Sequence, residues 1–323
     1  MHYFLNKLLN KKNVVGFCEL DDEVHVFVSK KLSMPTINKL TGRGKFKVSD
    51  LIPKFVRVSP IKKKKTDVIE TGEIWAQIDS EEYRPLMGGC EIAPKDKNWV
   101  GTAGCVIFFH KFRNLPLLGK WQSLVPLLKH FGLTSEIRPA LITNSHVANW
   151  DVTKPEHGQR MVQPGKTGKE VGTLVWSSNM AKKGLNEFDV AVIELDPWQN
   201  GTFFQREIIK VGVPLGVRDI ERDEAVHKYG RTSEYTQGSC LYRNVTINVN
   251  YGEWMLLAVA GVDMYSKISV PGDSGSVICS KKGNDVVGLL FAGNSKYTYA
   301  IPFKKICERI GVQLTDEYPE SLY

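Results

Sequence analysis

Cysteine is scarce in this sequence, and no two cysteines form a pair typical of metal or redox sites. Six of the 323 residues are cysteines, none of them arranged as CxxC. A small scaffold held together by disulfides needs a far higher density, so that class is excluded. We expect free, buried thiols in a reducing, cytoplasmic compartment, and neither a metal nor any other cofactor. The cysteines stand at positions 18, 90, 105, 240, 279 and 307.

Long hydrophobic runs are also missing. No stretch approaches the roughly 20 apolar residues that a membrane span requires. The opening stretch, MHYFLNKLLNKKN, interrupts its apolar residues with Asn and Lys and has no small-residue cleavage site, so a signal peptide is not expected. With 42% hydrophobic and 24% charged residues, the composition is that of a globular protein, and the length predicts about two domains.

Acidic residues do not balance the basic ones, and the net charge is +8. Residues 1–85 hold 16 Lys and Arg against 11 Asp and Glu, with four consecutive lysines at 62–65. Such a run predicts a solvated loop, whereas contact with nucleic acid is the sharper alternative. No stacking-aromatic motif or zinc-finger spacing accompanies it, so a nucleic-acid partner is not expected.

The chain changes character near residue 85. Residues 1–85 predict a small α/β module for regulation or recognition, with strands over Asn13–Leu20 and Glu23–Ser29 and a polar linker over 79–86. Residues 86–323 contain short strand-like runs about ten residues apart, which favour an all-β barrel or sandwich.

An insertion around 110–137 separates two of these strand-like runs. Its stretch Leu118–Leu133 is apolar, basic and partly helical in spacing, although Pro126 interrupts it. One interpretation is a surface helix that packs its apolar side on the barrel. The other is an element that contacts a partner or a membrane.

The stretch SVPGDSGSVI at 269–278 is the first candidate for chemistry, because Ser274 lies on a tight turn before a strand. Gly, Asp and Ser also build ordinary turns, so the motif alone leaves both interpretations open. A serine nucleophile needs a base to accept its proton and an acid to orient that base. His146 follows an apolar strand, and Asp189 opens another one. Asp151 and Asp196 are the alternative acids.

Taken together, TNSHV, FDVAVIEL and GDSGS resemble chymotrypsin-like serine peptidases, in which the triad follows the order His, Asp, Ser. The stretch 226–238, with its Lys-x-Gly-Arg-Thr-Ser pattern, is similar to that of bacterial trypsin-like peptidases and of plant Narrow-leaf-type peptidases. The resemblance implies a mainly β fold: a double six-stranded β-barrel over 86–323, preceded by the small α/β domain. The insertion at 110–137 departs from the family pattern.

The resemblance implies a role for each matched residue. Ser274 is the expected nucleophile, His146 the general base and then acid, and Asp189 the carboxylate that orients His146. The backbone amides of Gly272 and Ser274 are expected to form the oxyanion hole.

Some positions depart from the family pattern. Ile268 stands at the base of the expected specificity pocket, so an apolar or small P1 residue is predicted. Phe291 occupies a position where the family often has a serine that supports the catalytic acid. With Ala292 and Gly293, it is expected to offer backbone groups to an extended substrate.

Activation is a further open point, because the acid before the nucleophile, Asp273, needs a positively charged partner. Arg138 and Arg231 are candidates, as is activation by cleavage or by a partner.

The sequence thus predicts an intracellular serine endopeptidase that acts on proteins or peptides. A regulatory protein could bind its N-terminal module or the 110–137 insertion. The alternatives are a catalytically weak binding module with a protease fold and a general esterase.

Overall fold

β-Strands, most of them in antiparallel pairs, are the main regular structure of the described residues, as the short apolar runs and frequent turn residues predict. In the computed structural model the described residues are 5–43, 45, 47–72, 82–165, 168–196, 204–252 and 255–315. They form two large sheets and one short two-stranded pair.

The N-terminal segment, which we define as the described part of 5–72, combines a hairpin with a helical crossover. Strands β1 (Val14–Glu19) and β2 (Glu23–Val28) form the hairpin, close to the predicted strands. Helix α1 (Met34–Gly42) follows, and the chain returns as β4 (Lys63–Glu70), parallel to β2. Strand β3 (Phe55–Arg57) pairs with the outer edge of β4.

The lysine run at 62–65 is not the solvated loop that the sequence predicts. Three of its residues begin strand β4, where side chains alternate between the two faces. Lys63 and Lys65 are exposed, but Lys64 is buried and its Nζ lies 2.8 Å from Glu19 Oε1. The prediction was wrong because a carboxylate on the neighbouring hairpin makes an inward-facing lysine tolerable.

The following strands build a first barrel around one apolar cluster. Six of them, from β6 to β14, each contribute buried side chains to this cluster, as a barrel interior requires. The insertion adds a 3₁₀ turn (Gly119–Trp121) and helix α2, and the short helix α3 follows β10. The elements in this part of the chain are β5 (Leu86–Gly88), β6 (Glu91–Pro94), β7 (Gly101–Thr102), β8 (Val106–Phe112), β9 (Leu115–Pro116), α2 (Leu124–His130), β10 (Glu136–Thr143), α3 (Ser145–Ala148), β11 (Arg160–Gln163), β12 (Lys169–Ser177), β13 (Leu185–Asn186) and β14 (Ala191–Leu195). Of these, β5 belongs to the two-stranded pair and β13 to the other large sheet.

A second barrel closes completely through its hydrogen-bonded strands. The pairings run from β16 to β17, β18, β21, β20 and β19, and β19 pairs again with β16. The elements in this part of the chain are β15 (Phe204–Ile208), β16 (Ala225–Gly230), β17 (Glu234–Asn250), β18 (Leu256–Ser266), β19 (Val277–Ser280), β20 (Val286–Gly293), β21 (Tyr297–Pro302), α4 (Phe303–Ile306), a π-helical turn (Cys307–Gly311) and β22 (Val312–Gln313). Of these, β15 pairs with β5, and β22 pairs with β8 in the sheet of the first barrel. The predicted double-barrel, mainly β fold is therefore confirmed.

The N-terminal segment is joined to the second barrel by a continuous sheet. Strand β1 pairs with β17, with Gly16 opposite Ile247 and Phe17 opposite Thr246. The predicted linker over 79–86 lies partly outside the described residues, so the predicted boundary near residue 85 stays a prediction.

The insertion at 110–137 is anchored on one side and open on the other. Leu118 and Val125 are buried against the protein, whereas Leu127, Phe131 and Leu133 are exposed. The buried side agrees with a surface segment that packs on the protein, whereas contact with a partner or a membrane stays a prediction. In the described part of the chain, no helix has the length and apolar character needed to cross a membrane.

A glycine makes the junction between β1 and β17 possible. A Cβ atom on Gly16 would lie 2.6 Å from the Ile247 side chain and 2.9 Å from the backbone oxygen of Thr246. We expect Gly16→Ala to push the two strands apart and to lower the free energy of unfolding by about 1–3 kcal/mol, the usual cost of overpacking. Urea unfolding followed by fluorescence measures this change.

Gly42→Ala is the matched control, because a Cβ atom on Gly42 meets nothing within 4 Å. Alanine favours helices more than glycine does, so this variant should be unchanged or slightly more stable. Equal stability of both variants would contradict the expected crowding at the junction.

Candidate active site

His146 is placed by a strand that ends in a short helix. Strand β10 ends at Thr143, and His146 is the second residue of α3. The side-chain amide of the intervening Asn144 donates 2.8 Å to the carbonyl oxygen of Asp189. The side chain of His146 is mostly buried and faces the residues before β14.

Asp189 meets His146 through both of its carboxylate oxygens. The His146 amide donates to Oδ1 at 3.1 Å, and Nδ1 of the ring lies 2.6 Å from Oδ2. Because Asp189 is fully buried, its charge needs such donors. An ionised Asp189 requires the ring proton on Nδ1, which leaves Nε2 of His146 as an acceptor.

Tyr251, just past the end of β17, is a partner of this carboxylate that sequence reasoning missed. Its Oη donates 2.9 Å to Oδ2 of Asp189, and its ring packs edge-on against His146 with centroids 5.7 Å apart. Burial and the neighbouring carboxylate hold the pKa of Tyr251 well above its usual range, so the hydroxyl keeps its proton. Nothing in the local sequence around Tyr251 signals this contact.

Ser274 lies on the turn that leads into β19 of the second barrel, whereas His146 belongs to the first barrel. Gly272 has a φ of 113°, a conformation that favours glycine, so the turn depends on this residue. Ser274 Oγ donates to the carbonyl oxygen of Phe291 at 3.5 Å. Nε2 of His146 is buried and has no hydrogen-bond partner among the described residues. The serine and the imidazole therefore do not yet form a hydrogen bond with each other.

The turn around Ser274 is fastened to the first barrel by Thr102. Thr102 donates its amide to the Ser274 carbonyl at 2.7 Å and its hydroxyl to the Gly272 carbonyl at 2.6 Å. Within the described residues, the amides of Gly272 and Ser274 donate to no other group. Both N–H groups are thus available to an oxygen atom outside the chain.

The positively charged partner of Asp273 is Lys228, and neither of the two candidate arginines fills this role. Lys228 Nζ lies 2.9 Å from Asp273 Oδ2, and both side chains are fully buried. Arg138 instead pairs with Glu194, and Arg231 with Glu91. The sequence prediction was wrong here because β16 directs Lys228, not Arg231, toward the turn.

Asp273 also accepts hydrogen bonds from the backbone. Its carboxylate receives the amides of Val270, Thr232 and Ser233 and the hydroxyl of Ser233. Although burial alone would raise the pKa of Asp273, Lys228 and these donors together lower it below its usual value. The carboxylate therefore stays ionised at neutral pH.

The residues predicted to bind substrate are buried beside the Ser274 turn. Ile268 lies in an apolar cluster of the second barrel, and its amide donates to Thr298 Oγ1 at 3.1 Å. Phe291 and Ala292 are buried on β20, followed by Gly293. The carbonyl oxygen of Phe291 contacts Ser274, whereas the side chain of Ile268 faces the core.

The alternative acids lie elsewhere. Asp151 accepts hydrogen bonds from the amide and hydroxyl of Thr153, and Asp196 pairs with Arg160. Neither contacts His146 in the structure. Asp189 is the acid that meets the imidazole.

The cysteine thiols are poor candidates for the nucleophile. The six cysteines are free thiols, and burial raises the pKa of Cys90 and of Cys279 to about 12, which makes them poor nucleophiles. In the described ranges, no three His, Cys, Asp or Glu side chains lie close enough together to hold a metal ion.

Comparisons with known proteins find likeness in structure only. No protein-family model and no curated protein sequence matches the chain. Thermobifida fusca Protease A is similar over 71% of this chain and 97% of its own, with 15% identity and a TM-score of 0.48. The corresponding values for Cellulomonas bogoriensis chymotrypsin are 72%, 99%, 17% and 0.48. Because identity and TM-score are both low, the functional proposal rests on the geometry of the site.

The pair of Lys228 and Asp273 leads to a stability prediction. Lys228→Met leaves a buried carboxylate without its countercharge, so the free energy of unfolding should fall by about 3–5 kcal/mol. Chemical unfolding at neutral pH measures this loss.

Lys210→Met is the matched control, since Lys210 pairs with Glu234 at 2.6 Å on the exposed surface. Water screens that pair, and the stability should hardly change. An equally small effect of Lys228→Met would show that Asp273 does not depend on Lys228.

Proposed function

We propose that the chain is a serine endopeptidase in which Ser274 is the nucleophile, His146 the general base and then acid, and Asp189 the orienting carboxylate. The observation that carries this proposal is the double contact of the fully buried Asp189 with the ring and backbone of His146. With the ring proton on Nδ1, the nitrogen that faces Asp189, Nε2 of His146 is left as the acceptor that a serine nucleophile needs.

In this mechanism His146 Nε2 accepts the Ser274 proton while Oγ bonds to the carbonyl carbon of the scissile peptide. The oxygen of that carbonyl becomes negative and accepts hydrogen bonds from the amides of Gly272 and Ser274. When the C–N bond breaks, His146 returns the proton to the leaving amine. Water then hydrolyses the acyl–enzyme in the same way, with His146 again as the base.

The oxyanion turn needs no newly formed amino terminus in this proposal. Lys228 and the backbone donors already neutralise Asp273, the acid that precedes the nucleophile. Folding of the second barrel supplies that countercharge, so we propose that activity does not require cleavage of the chain.

Substrate preference follows from the residues around the turn. Ile268, at the position that the family resemblance assigns to the base of the specificity pocket, packs its side chain in the apolar core and carries no charge. A basic P1 side chain would therefore find no acidic partner at this position, and we propose an apolar or small P1 residue. The backbone of Phe291, Ala292 and Gly293 is proposed to hold an extended peptide as an added strand. The six free thiols favour a reducing, cytoplasmic compartment.

A second candidate function is a binding module with a protease fold and weak catalysis. The observation that favours it is the direction of Ser274 Oγ, which donates to Phe291 and not to His146. Catalytic hydrogen bonds are often long or absent without substrate, so the first proposal remains the better supported one.

A fluorophosphonate probe tests the proposed nucleophile, because Ser274 Oγ would bond to its phosphorus while fluoride leaves. We expect labelling of the wild-type chain and none of Ser274→Ala, and His146→Ala should lower the labelling rate by several orders of magnitude. Labelling that persists in Ser274→Ala would refute the assignment.

Ser276→Ala is the control within the same motif. Ser276 donates its hydroxyl to the Asp273 carbonyl and takes no part in the proposed chemistry, so labelling should continue.

Profiling of new protein amino termini in cells with wild type or Ser274→Ala then separates the two functions. Cleavage sites that vanish in the variant support a peptidase, while an unchanged profile with intact cellular function supports the binding module.

A further inference from the structure

We propose that Tyr251 is a positioning residue for the catalytic carboxylate, and that the N-terminal segment holds Tyr251 in place through the hairpin of β17 and β18. This inference rests on the proposed function, because it assigns the control of the same site. The two parts follow from separate sets of contacts.

Tyr251 completes the set of donors around Asp189. The carboxylate accepts from the His146 amide and ring, and Tyr251 Oη supplies a further bond to Oδ2, the oxygen that the ring also contacts. A hydroxyl at that point further restricts rotation of the carboxylate, because Oδ2 then has a second donor besides the imidazole. The edge-on contact of the Tyr251 ring also limits where the imidazole can lie.

Residue 291 cannot provide this donor. A serine at that position would offer a hydroxyl, but Phe291 is buried and apolar, and its carbonyl oxygen accepts from Ser274. Tyr251 reaches the same carboxylate from a different pair of strands. The hydroxyl that supports Asp189 therefore depends on the placement of the β17–β18 hairpin.

The N-terminal segment packs on that hairpin only a few residues before Tyr251. Strand β1 pairs with β17 at Thr246 and Ile247, and the Asn248 side chain donates 2.9 Å to the carbonyl oxygen of Leu9. This last bond is buried, so breaking it would leave two polar groups without partners. Tyr251 is three residues beyond Asn248. A shift of β17 at this junction would therefore also move the Tyr251 hydroxyl.

The same segment also contacts the strand that leads to Asp189. Leu185 on β13 pairs with Ala258 on β18, and Asn186 donates its side-chain amide to the Ala258 carbonyl at 3.1 Å. Both Leu185 and Ala258 pack against an apolar cluster built by the N-terminal segment, whose members include Leu5, Leu8 and Leu9. The N-terminal segment thus contacts both β17, which leads to Tyr251, and β13, which leads to Asp189.

This arrangement predicts control of the chemical step and not of substrate binding. Tyr251 touches Asp189 and His146, and no substrate-binding position lies among its hydrogen-bond partners in the described ranges. A partner that binds the N-terminal segment and displaces β1 would loosen the hairpin and slow acylation of Ser274. A partner that tightens this junction would have the opposite effect.

The first test compares Tyr251→Phe with the wild type in its reaction with a fluorophosphonate probe. The variant keeps the ring against His146 and removes the hydroxyl, so the maximal labelling rate should fall about tenfold to a hundredfold, as expected for loss of a bond to a charged group. The probe concentration at half-maximal rate should not change. Tyr242→Phe, on the same strand and away from Asp189, is the matched control and should react like the wild type.

The second test changes the junction from the side of the N-terminal segment. Gly16→Ala, measured well below its unfolding temperature, should lower the maximal labelling rate by about two- to thirtyfold in the wild-type background. In the Tyr251→Phe background it should cause little further loss, because both changes act through one contact.

The outcomes separate the inference from the function on which it rests. A wild-type chain that does not react contradicts the proposed function itself. A wild-type chain that reacts, together with Tyr251→Phe at an equal rate, overturns the role of Tyr251. Independent, multiplying losses in the double variant would show that the N-terminal segment does not act through Tyr251. If Gly16→Ala proves too unstable, Asn248→Ala tests the same junction through its bond to Leu9.

Discussion

A carboxylate buried beside the nucleophile is the constraint on which the proposed site depends. Asp273 is fully enclosed, and an unpaired charge there would cost several kcal/mol. Its partners, Lys228 and the amides that follow it, lie on β16 and the turn to β17. The conformation of the Ser274 turn is therefore a product of closing the second barrel. That is the physical reason for proposing an enzyme that is competent as folded.

A second buried carboxylate joins the two barrels to each other. Asp189 belongs to the first barrel and accepts from His146, which lies in the same barrel, and from Tyr251, which extends from the second. Thr102 makes the reciprocal connection by donating from the first barrel to the turn of Ser274. The proposed active site lies between the barrels, beside the contact of Asp189 with Tyr251 and that of Thr102 with the Ser274 turn. Its geometry therefore depends on the relative placement of both barrels. The N-terminal segment adds β1 to the sheet of the second barrel at β17, the strand that ends just before Tyr251.

Local sequence patterns were sufficient for part of this picture. Apolar runs between turn residues predicted many short strands, and six closed pairings in the second barrel confirm that reading. His146, Asp189 and Ser274 were candidates because each lies at the edge of a strand or turn and their motifs follow the order of the family that the sequence resembles. Strand β17 is longer than its apolar pattern indicates, because only Val245–Val249 has the alternation typical of a strand. Its 17 residues pass through several shifts of register, which interrupt the simple alternation.

The sequence by itself indicated the fold class and the turn that carries Ser274, because strands and turns follow from residues near each other in the chain. It indicated the three residues proposed for catalysis through the order of their separate motifs, which resembles that of a known family. Tertiary structure alone decided which groups satisfy the buried charges. Lys228 meets Asp273 across 45 residues, and Tyr251 meets Asp189 across 62. Strand pairing creates such contacts. The residues around a lysine or tyrosine that makes a buried contact do not differ in pattern from those around a lysine or tyrosine that faces solvent.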